Sequence, residues 1–256
     1  MNYIKENEAI WDTRSSNDDI WSVPVSSEKI EEARNGKWSI VLTPEKTVPR
    51  EWFPKEMAGI KVLCLASGGG QQGPILAATG ADVTVFDNSH KQLEKDLFVA
   101  KRDNLEIKTV QGNMQDLSVF VDETFDLIIH PWSNGYVNSV IPVWKECSRI
   151  LKKGGILLAG FGNPLEYIFD PEKMEKGQLE PRFSIPYADV DHLDNPAIKQ
   201  IAESEGFIWS HTLEDQIQGQ ISAGFVIAGF YEDKGGTPLD EFINTSIATR
   251  AIKLSV

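Results

Sequence analysis

Residues 60–74 read IKVLCLASGGGQQGP, an apolar run of strand length that passes directly into a glycine-rich turn. Pro74 suits the first turn of a helix, so this stretch predicts a strand, a tight loop and a helix in succession. Glycine lets a ligand approach the backbone closely, and the free amides at a helix start receive polar or anionic groups. The stretch therefore predicts both the beginning of an α/β sheet and one wall of a ligand site.

Apolar segments of strand length alternate with helical segments after this loop. The segments are apolar almost throughout, which indicates strands that are covered on both faces and therefore a parallel sheet. We expect an α/β fold, a doubly wound Rossmann-like arrangement with a mostly parallel sheet. The predicted strands are residues 60–66, 82–87, 107–111, 125–130 and 155–161, and the predicted helices are residues 72–79, 89–103 and 138–151.

Two parts of the chain depart from this alternation. Residues 1–59 predict an N-terminal helical extension that serves as a lid, with an apolar helix face near Trp11 and a serine-capped helix over residues 26–35. Residues 162–196 carry five prolines and predict an insertion within a domain that spans residues 60–236. Insertions of this length in a compact domain commonly cover a binding site.

The C-terminal part predicts a change from parallel to antiparallel pairing. A helix over residues 196–205 precedes two strands, at residues 207–213 and 224–231. We expect these two strands to form a C-terminal antiparallel hairpin, because the segment between them reads as a glycine-containing loop with no helix. Apolar residues in the last segment, 237–256, predict a closing amphipathic helix.

Composition restricts the partners and the compartment. The 256 residues include 38 acidic and 25 basic side chains, and a formal charge of −13 repels nucleic acid. Cys64 and Cys147 lack a CxxC or Cys/His spacing, so we expect reduced thiols in a cytoplasmic protein. No leader or membrane-spanning run is evident, and no His/carboxylate cluster predicts a metal. The oligomeric state stays open.

Asp87 follows the glycine loop in sequence at the end of the next predicted strand, which is a suitable position for a ribose-binding residue. Asp87 ends the second predicted strand, where it can accept hydrogen bonds from both hydroxyls of a ribose. The string Gly68-x-Gly70-x-x-Gly73 matches the dinucleotide fingerprint, which leaves an NAD(P)-dependent oxidoreductase open. The long extension before the loop, the Gly112–Leu117 segment and the antiparallel end of the sheet favour another nucleoside cofactor.

Together, residues 60–161 and the hairpin at 207–231 resemble class I S-adenosylmethionine-dependent methyltransferases of the ubiquinone/menaquinone-methyltransferase-like group. The family loop reads acidic-x-Gly-x-Gly-x-Gly, and here Cys64 stands for the acidic residue and Ala66 for the first glycine. The resemblance implies in-line methyl transfer from S-adenosylmethionine to a small-molecule acceptor, with S-adenosylhomocysteine as product. The two departures keep a non-catalytic module that binds the nucleoside cofactor as an alternative.

The resemblance also implies which residues bind the cofactor. Asp87 takes the ribose, and Asn113 and Met114 flank the adenine, although Asn113 could also merely close a turn. Leu93 either packs on the adenine ring or belongs to the core. Gln71 and Gln72 are the candidates for the polar contacts that Cys64 cannot make. The implied set is Ala66, Ser67, Gly68, Gly69, Gln71, Gln72, Asp87, Asn88, Ser89, Leu93, Asn113, Met114 and His130.

His130 ends the fourth predicted strand, where ligands of parallel sheets bind. Its unperturbed pKa of about 6.5 suits a general base, while the alternative that its ring or backbone only positions the cofactor or caps the loop stays open. Aromatic residues near this end and in the insertion are candidates for the acceptor pocket. They are Trp11, Trp21, Trp132, Tyr136, Tyr167, Phe169, Phe183 and Tyr187.

Overall fold

A computed structural model describes residues 2–17 and 19–254, and a seven-stranded sheet runs through its centre. The strands are β1 (Lys61–Leu65), β2 (Asp82–Asp87), β3 (Ile107–Gln111), β4 (Phe125–His130), β5 (Leu151–Gly162), β6 (Tyr187–Ala188), β7 (Trp209–Ser210), β8 (Phe225–Asp233) and β9 (Ser246–Lys253). The spatial order in the large sheet is β3-β2-β1-β4-β5-β9-β8, with β1 to β5 mutually parallel, as the predicted doubly wound fold requires. Strands β6 and β7 form a separate antiparallel pair.

Helices cover the sheet and its carboxyl edge. The serine cap predicted for the second helix is present, because Ser26 Oγ accepts a hydrogen bond from the Lys29 amide. Ser89 caps the fourth helix through the Gln92 amide in the same way. The helices are α1 (Tyr3–Ser16), α2 (Ser27–Arg34), α3 (Gln72–Ala78), α4 (His90–Asp103), α5 (Ile141–Ile150), α6 (Pro171–Glu175), α7 (Pro196–Glu205) and α8 (Gly219–Ser222).

The uniformly apolar sequence of β1 reflects burial on both faces of the sheet. Leu63 and Leu65 pack into the core on the side of α5, whereas Val62 and Cys64 pack into the core on the opposite side. All four side chains are fully buried. Because side chains of a strand alternate between faces, only an apolar residue at every position fills both cores.

The N-terminal extension contributes directly to the second core. Leu42 and Phe53 are buried there with side chains of β1 and β4. The contact is close: a Cβ atom added at Gly160 of β5 would lie 2.0 Å from the Leu42 carbonyl oxygen. The part of the extension between Leu42 and Phe53 is thus packed on the sheet and belongs to the same core as β1 and β4.

The prediction of a helix at the C-terminus is wrong. Ser246–Lys253 is β9, which lies between β5 and β8 and pairs antiparallel with both. Only Pro238–Glu241 is helical in the described part of residues 237–254, as one 3₁₀ turn. The β-branched side chains of Ile247, Thr249 and Ile252 favour a strand, and two flanking strands satisfy its backbone groups. The α/β sheet therefore extends beyond residue 236.

The antiparallel hairpin exists, but its members differ from the prediction. β8 pairs with β9, whereas Trp209–Ser210 pairs with Tyr187–Ala188 in the small separate sheet. A π-helical turn at Glu214–Gln218 and α8 occupy the segment that was predicted to be a loop. The prediction of a strand over residues 207–213 is wrong outside Trp209–Ser210, because only these two residues pair with the insertion, which local periodicity does not reveal.

Candidate active site

A cavity of about 640 Å³ lies at the carboxyl edge of the parallel strands, where the loops after β1, β2, β3 and β4 converge. Its other walls come from α1, from the extension near Leu42, and from the insertion that follows β5. The volume falls in the range typical of small-molecule sites. Residues from both ends of the chain thus enclose one space.

The glycine loop lines the cavity, and residues of α4 and of the N-terminal extension pack tightly against it. A Cβ atom added at Gly68 would lie 2.6 Å from Gln92 Cβ, and one at Gly69 would lie 2.5 Å from the Trp21 carbonyl oxygen. Ala66 adopts a left-handed φ of 47°, a conformation that favours glycine. The glycines are therefore required by packing as well as by ligand approach.

Asp87 is fixed at the end of β2 by two backbone amides. Its Oδ2 accepts a hydrogen bond from the Gly68 amide and its Oδ1 from the Ser89 amide, each at 2.9 Å. Burial raises the pKa of Asp87, and these amides oppose the rise by stabilising the carboxylate. A carboxylate has about four acceptor sites, so both oxygens retain capacity for ligand hydroxyls. Asp87 also lines the cavity.

The two glutamines of the loop hold the N-terminal extension in place. Gln71 Nε2 donates to the carbonyl oxygens of Ile20 and Val23, at 3.0 and 3.1 Å. Gln72 Nε2 donates to the Val41 carbonyl oxygen at 3.3 Å. Both residues line the cavity, but their amide nitrogens already have partners within the chain.

Helix α1 lies across the ends of β2 and β3. Asn88 Nδ2 donates to the Ile4 carbonyl oxygen at 2.9 Å, and Ser89 Oγ donates to Asp12 Oδ1 at 2.6 Å. Asn7 bonds both the amide and the carbonyl oxygen of Phe207 through its side chain. These contacts join α1 to β2 on one side and to residues after α7 on the other.

The structure brings most of the predicted cofactor residues together and places four of them elsewhere. Asn113 lines the cavity while its Oδ1 accepts from the Gln115 amide and closes a turn. The predicted residues that line the cavity are Ala66, Ser67, Gly68, Gln71, Gln72, Asp87, Asn88, Asn113 and Met114. The other four are not part of the lining. Gly69 packs against the extension, Ser89 caps α4, Leu93 is in the core and His130 is fully buried.

An acceptor oxygen lies beside each ring nitrogen of His130. Nδ1 lies 3.0 Å from the Leu65 carbonyl oxygen, and Nε2 lies 2.6 Å from Oδ1 of Asn134. Burial lowers the pKa of His130, and these two acceptors oppose the fall because they favour an N–H on each nitrogen. The ring thus ties the end of β4 to the end of β1.

Asp96 is a buried residue that the sequence analysis did not single out. Its Oδ2 accepts from the Gly70 amide at 3.1 Å, and its Oδ1 has no partner among the described residues. Burial raises the pKa of Asp96 to about 8. Its spacing from Leu93 and Val99, three residues each way on an amphipathic helix, was the available signal.

The insertion and α1 give the cavity an aromatic wall, and the part of the cavity along this wall is called its far half. Tyr167 stacks on Tyr187 with ring centroids 6.1 Å apart, and Trp11 meets Tyr136 edge to face at 5.5 Å. Of the predicted aromatic residues, Phe183 packs on Tyr187 outside the lining. Those that line the cavity are Trp11, Trp21, Trp132, Tyr136, Tyr167, Phe169 and Tyr187.

Residues 2–17 and 19–254 contain neither a metal-like cluster nor a membrane-spanning helix. No group of three or more His, Cys, Asp or Glu side chains there has the arrangement of a metal site. None of the helices in this part combines the length and apolarity that crossing a bilayer demands. Cys64 and Cys147 are both buried and unbonded, and burial raises the pKa of each thiol.

Comparison with known proteins agrees with this geometry. A family model described as a methyltransferase domain matches residues 63–159. A Bacillus subtilis (strain 168) protein described as the uncharacterized methyltransferase YbaJ is 53% identical over 252 residues, which are 98% of each chain. The ubiquinone biosynthesis O-methyltransferase of Pelagibacter ubique is 32% identical over 103 residues, which are 40% of this chain and 42% of that one.

The fold has solved counterparts. The crystal structure of an S-adenosylmethionine-dependent methyltransferase from Mesorhizobium loti matches with a TM-score of 0.62 at 17% identity, over 80% of this chain and 95% of that one. An identity this low shows the shared fold alone. The near-complete match at 53% identity, together with the matched domain and the fold, shows that the chain belongs to the class I S-adenosylmethionine-dependent methyltransferases.

Proposed function

We propose that this methyltransferase transfers the methyl group of S-adenosylmethionine to a small organic molecule that lies in the far half of the cavity. One observation carries the proposal: a single cavity of about 640 Å³ joins the strand-end loops to the aromatic wall of the insertion. Methyl transfer needs donor and acceptor in one space that excludes water. An adjoining aromatic compartment supplies that space.

The residues at the strand ends fit a nucleoside cofactor. The Asp87 carboxylate is positioned to accept ribose hydroxyls, while Asn113 and Met114 line the place that the adenine would take. Ser67 Oγ is buried in this wall without a partner among the described residues. A polar atom in that state is expected to gain a partner when a ligand binds.

The chain's own residues would bind, orient and dehydrate the reactants. S-adenosylmethionine, when bound, supplies a methyl group that its sulfonium already activates. Helix α1 and the insertion line the cavity and enclose the reactants. Holding the methyl donor and the acceptor in line can lower the barrier to transfer by about 7 kcal/mol or more. Aromatic rings beside a cation contribute roughly 0.5–2 kcal/mol. Trp132 and Tyr136 are the rings nearest to the end of β4 in sequence.

In this proposal His130 is a positioning residue rather than a general base. Its ring is fully buried, each ring nitrogen is occupied by a neighbouring oxygen of the chain, and burial lowers its pKa. A general base must reach the proton it removes, directly or through one water. The side-chain contacts instead support a role in holding the β1 and β4 loops in register.

Membership in the ubiquinone/menaquinone-methyltransferase-like group is a finer part of the same proposal. The 32% identity over 103 residues to the Pelagibacter ubique enzyme supports it. That match concerns less than half of either chain. The acceptor of that enzyme is therefore not carried over to this protein.

Calorimetric titration of the purified protein tests the proposal. S-adenosylmethionine and S-adenosylhomocysteine are expected to bind saturably, and NAD and NADP are expected not to bind. Binding of a nicotinamide nucleotide alone would return the Gly68-x-Gly70-x-x-Gly73 loop to its dinucleotide interpretation. Tight cofactor binding with no methylated product from a broad acceptor panel, followed by mass spectrometry, would favour the non-catalytic module.

A further inference from the structure

Acidic side chains from the insertion and α7 line the cavity. They are Glu166, Glu175 and Asp189 of the insertion and Glu205 of α7, in addition to Asp87 at the end of β2. Within the described lining, Arg14 is the one basic side chain, and it is paired with Asp19 at 2.8 Å. A cavity walled by one sign of charge concentrates ligands of the opposite sign and repels phosphates and carboxylates.

Glu166 differs from the other three acids in its hydrogen bonding. Both oxygens of Asp189 have partners, the Tyr187 hydroxyl at 2.7 Å and the Ile208 amide at 2.9 Å. Glu175 and Glu205 are exposed to solvent. Glu166 Oε2 is shielded from solvent and has no partner among the described residues. A buried carboxylate oxygen without a donor is costly unless a ligand provides one.

The local structure fixes where Glu166 lies. It belongs to the turn Pro164–Ile168 that follows β5 directly, so it stands at the same edge of the sheet as the cofactor residues. Asn163 caps this turn by accepting from the Leu165 amide at 3.1 Å. Glu166 is therefore held on a short, capped element rather than on a free loop.

Aromatic rings accompany this carboxyl group. Tyr167 is its neighbour in sequence and stacks on Tyr187. Trp132 also lines the cavity, and its Nε1 is buried without a partner among the described residues. A carboxylate combined with aromatic faces is the chemistry that recognises an organic ammonium, through ion pairing and cation–π attraction.

We infer that the acceptor is a small organic amine and that Glu166 is its counter-ion and proton acceptor. This inference rests on the proposed function. The amine binds as an ammonium ion, and one N–H proton passes to the Glu166 carboxylate, which becomes a carboxylic acid. The nitrogen keeps the electron pair of that N–H bond and becomes a neutral amine. Only in this form can nitrogen act as the nucleophile in methyl transfer.

The proton affinity of Glu166 suits this exchange. Burial raises its pKa to about 7, and the like charge of Asp240 adds to the rise. The titratable groups beside it are Asp240, on the Pro238–Glu241 turn, and Tyr167 on its own turn. Amine affinity is therefore expected to increase as the pH rises through neutrality, because Glu166 becomes charged while the amine is still protonated.

Calorimetric titration with three probes of similar shape tests the inference without turnover. Phenethylamine, phenethyl alcohol and hydrocinnamate present an ammonium, a hydroxyl and a carboxylate on one aromatic scaffold. Each is titrated into the protein saturated with S-adenosylhomocysteine. The variants are Glu166→Gln and, as the matched control, Glu172→Gln, which makes the same change at an exposed position on α6.

The amine is expected to bind best and the carboxylate worst. Glu166→Gln should weaken amine binding by at least about tenfold and remove its pH dependence, since the charge-assisted hydrogen bond is lost. The alcohol should bind both variants and the wild type alike, and Glu172→Gln should behave as wild type.

Three results would overturn the inference: no detectable amine binding, carboxylate binding as strong as that of the amine, or equal amine affinity in Glu166→Gln and wild type. In each of these cases S-adenosylhomocysteine still binds, so the proposed function stands. Failure of S-adenosylhomocysteine to bind the wild type would instead remove the proposed function itself.

Discussion

The substitution Asp87→Asn tests the cofactor site most directly. It keeps the size of the side chain but removes the charge and replaces one carboxylate oxygen with an NH₂ group. Hydrogen bonds from ligand hydroxyls to a charged acceptor contribute about 1.5–3 kcal/mol in total. Loss of that amount corresponds to S-adenosylhomocysteine binding that is roughly 10- to 150-fold weaker.

The same substitution has a second effect that the structure predicts. Asp87 accepts the amides of Gly68 and Ser89 on separate oxygens, so in the asparagine variant the NH₂ group faces one of these donors. One buried amide then loses its partner, at a cost of about 1–3 kcal/mol in the free energy of unfolding. Denaturant unfolding followed by tryptophan fluorescence measures this cost separately from binding.

A control on the same strand makes the result interpretable. Asp82→Asn makes the identical change at the opposite end of β2, where the carboxylate is exposed and pairs with Lys108 at 2.9 Å. We expect wild-type cofactor affinity in this variant. If Asp87→Asn is folded and binds S-adenosylhomocysteine as tightly as the Asp82 variant does, the ribose assignment is refuted.

Three other substitutions test the framework of the site. Burial raises the pKa of Asp96 to about 8, so between about pH 4 and about pH 8 the folded protein keeps a proton that the unfolded chain loses, and the contribution of Asp96 to stability falls as pH rises through this window. The stability of Asp96→Asn relative to wild type should therefore increase with pH in urea titrations, and a difference that is constant with pH would contradict the assignment. His130→Ala should lower the free energy of unfolding by about 2–4 kcal/mol, because it leaves a cavity and two buried groups without partners; an unchanged urea midpoint would show that the ring is dispensable. Gly160→Ala should destabilise by about 3 kcal/mol or more, because the new methyl group would lie 2.0 Å from the Leu42 carbonyl oxygen; a normal melting temperature would mean that the extension is not packed on β5 as described.

The parallel half of the fold was predictable because its signals are local. β1, β2, β4 and the second half of β5 are mostly apolar runs of the length that double-sided burial demands, whereas β3, at the edge of the sheet, mixes apolar and polar residues. The glycine loop and Asp87 were predictable for the same reason, since a strand end and its loop are contiguous in sequence. Their positions at one edge of the sheet follow from parallel topology.

The C-terminal elements were not predictable in this way. Ser246–Lys253 mixes apolar and polar residues without a clean period, and it becomes a strand because β5 and β8 lie on either side to pair with it. The short strand Trp209–Ser210 pairs with Tyr187–Ala188 of the insertion rather than with the next strand in sequence. Long-range pairing decided both cases, and propensity is a weak guide where tertiary contacts override it.

The sequence by itself determined the parallel part of the sheet, the glycine loop and the carboxylate at the end of β2, because these depend on burial and on residues close together in the chain. Only the tertiary structure decided that His130 is fully buried with an acceptor oxygen beside each ring nitrogen, that Gln71 holds the extension, and that Glu166 Oε2 has no partner among the described residues. Hydrogen bonding and desolvation depend on groups that are distant in sequence, so the chemical character of these side chains is set by the fold that surrounds them.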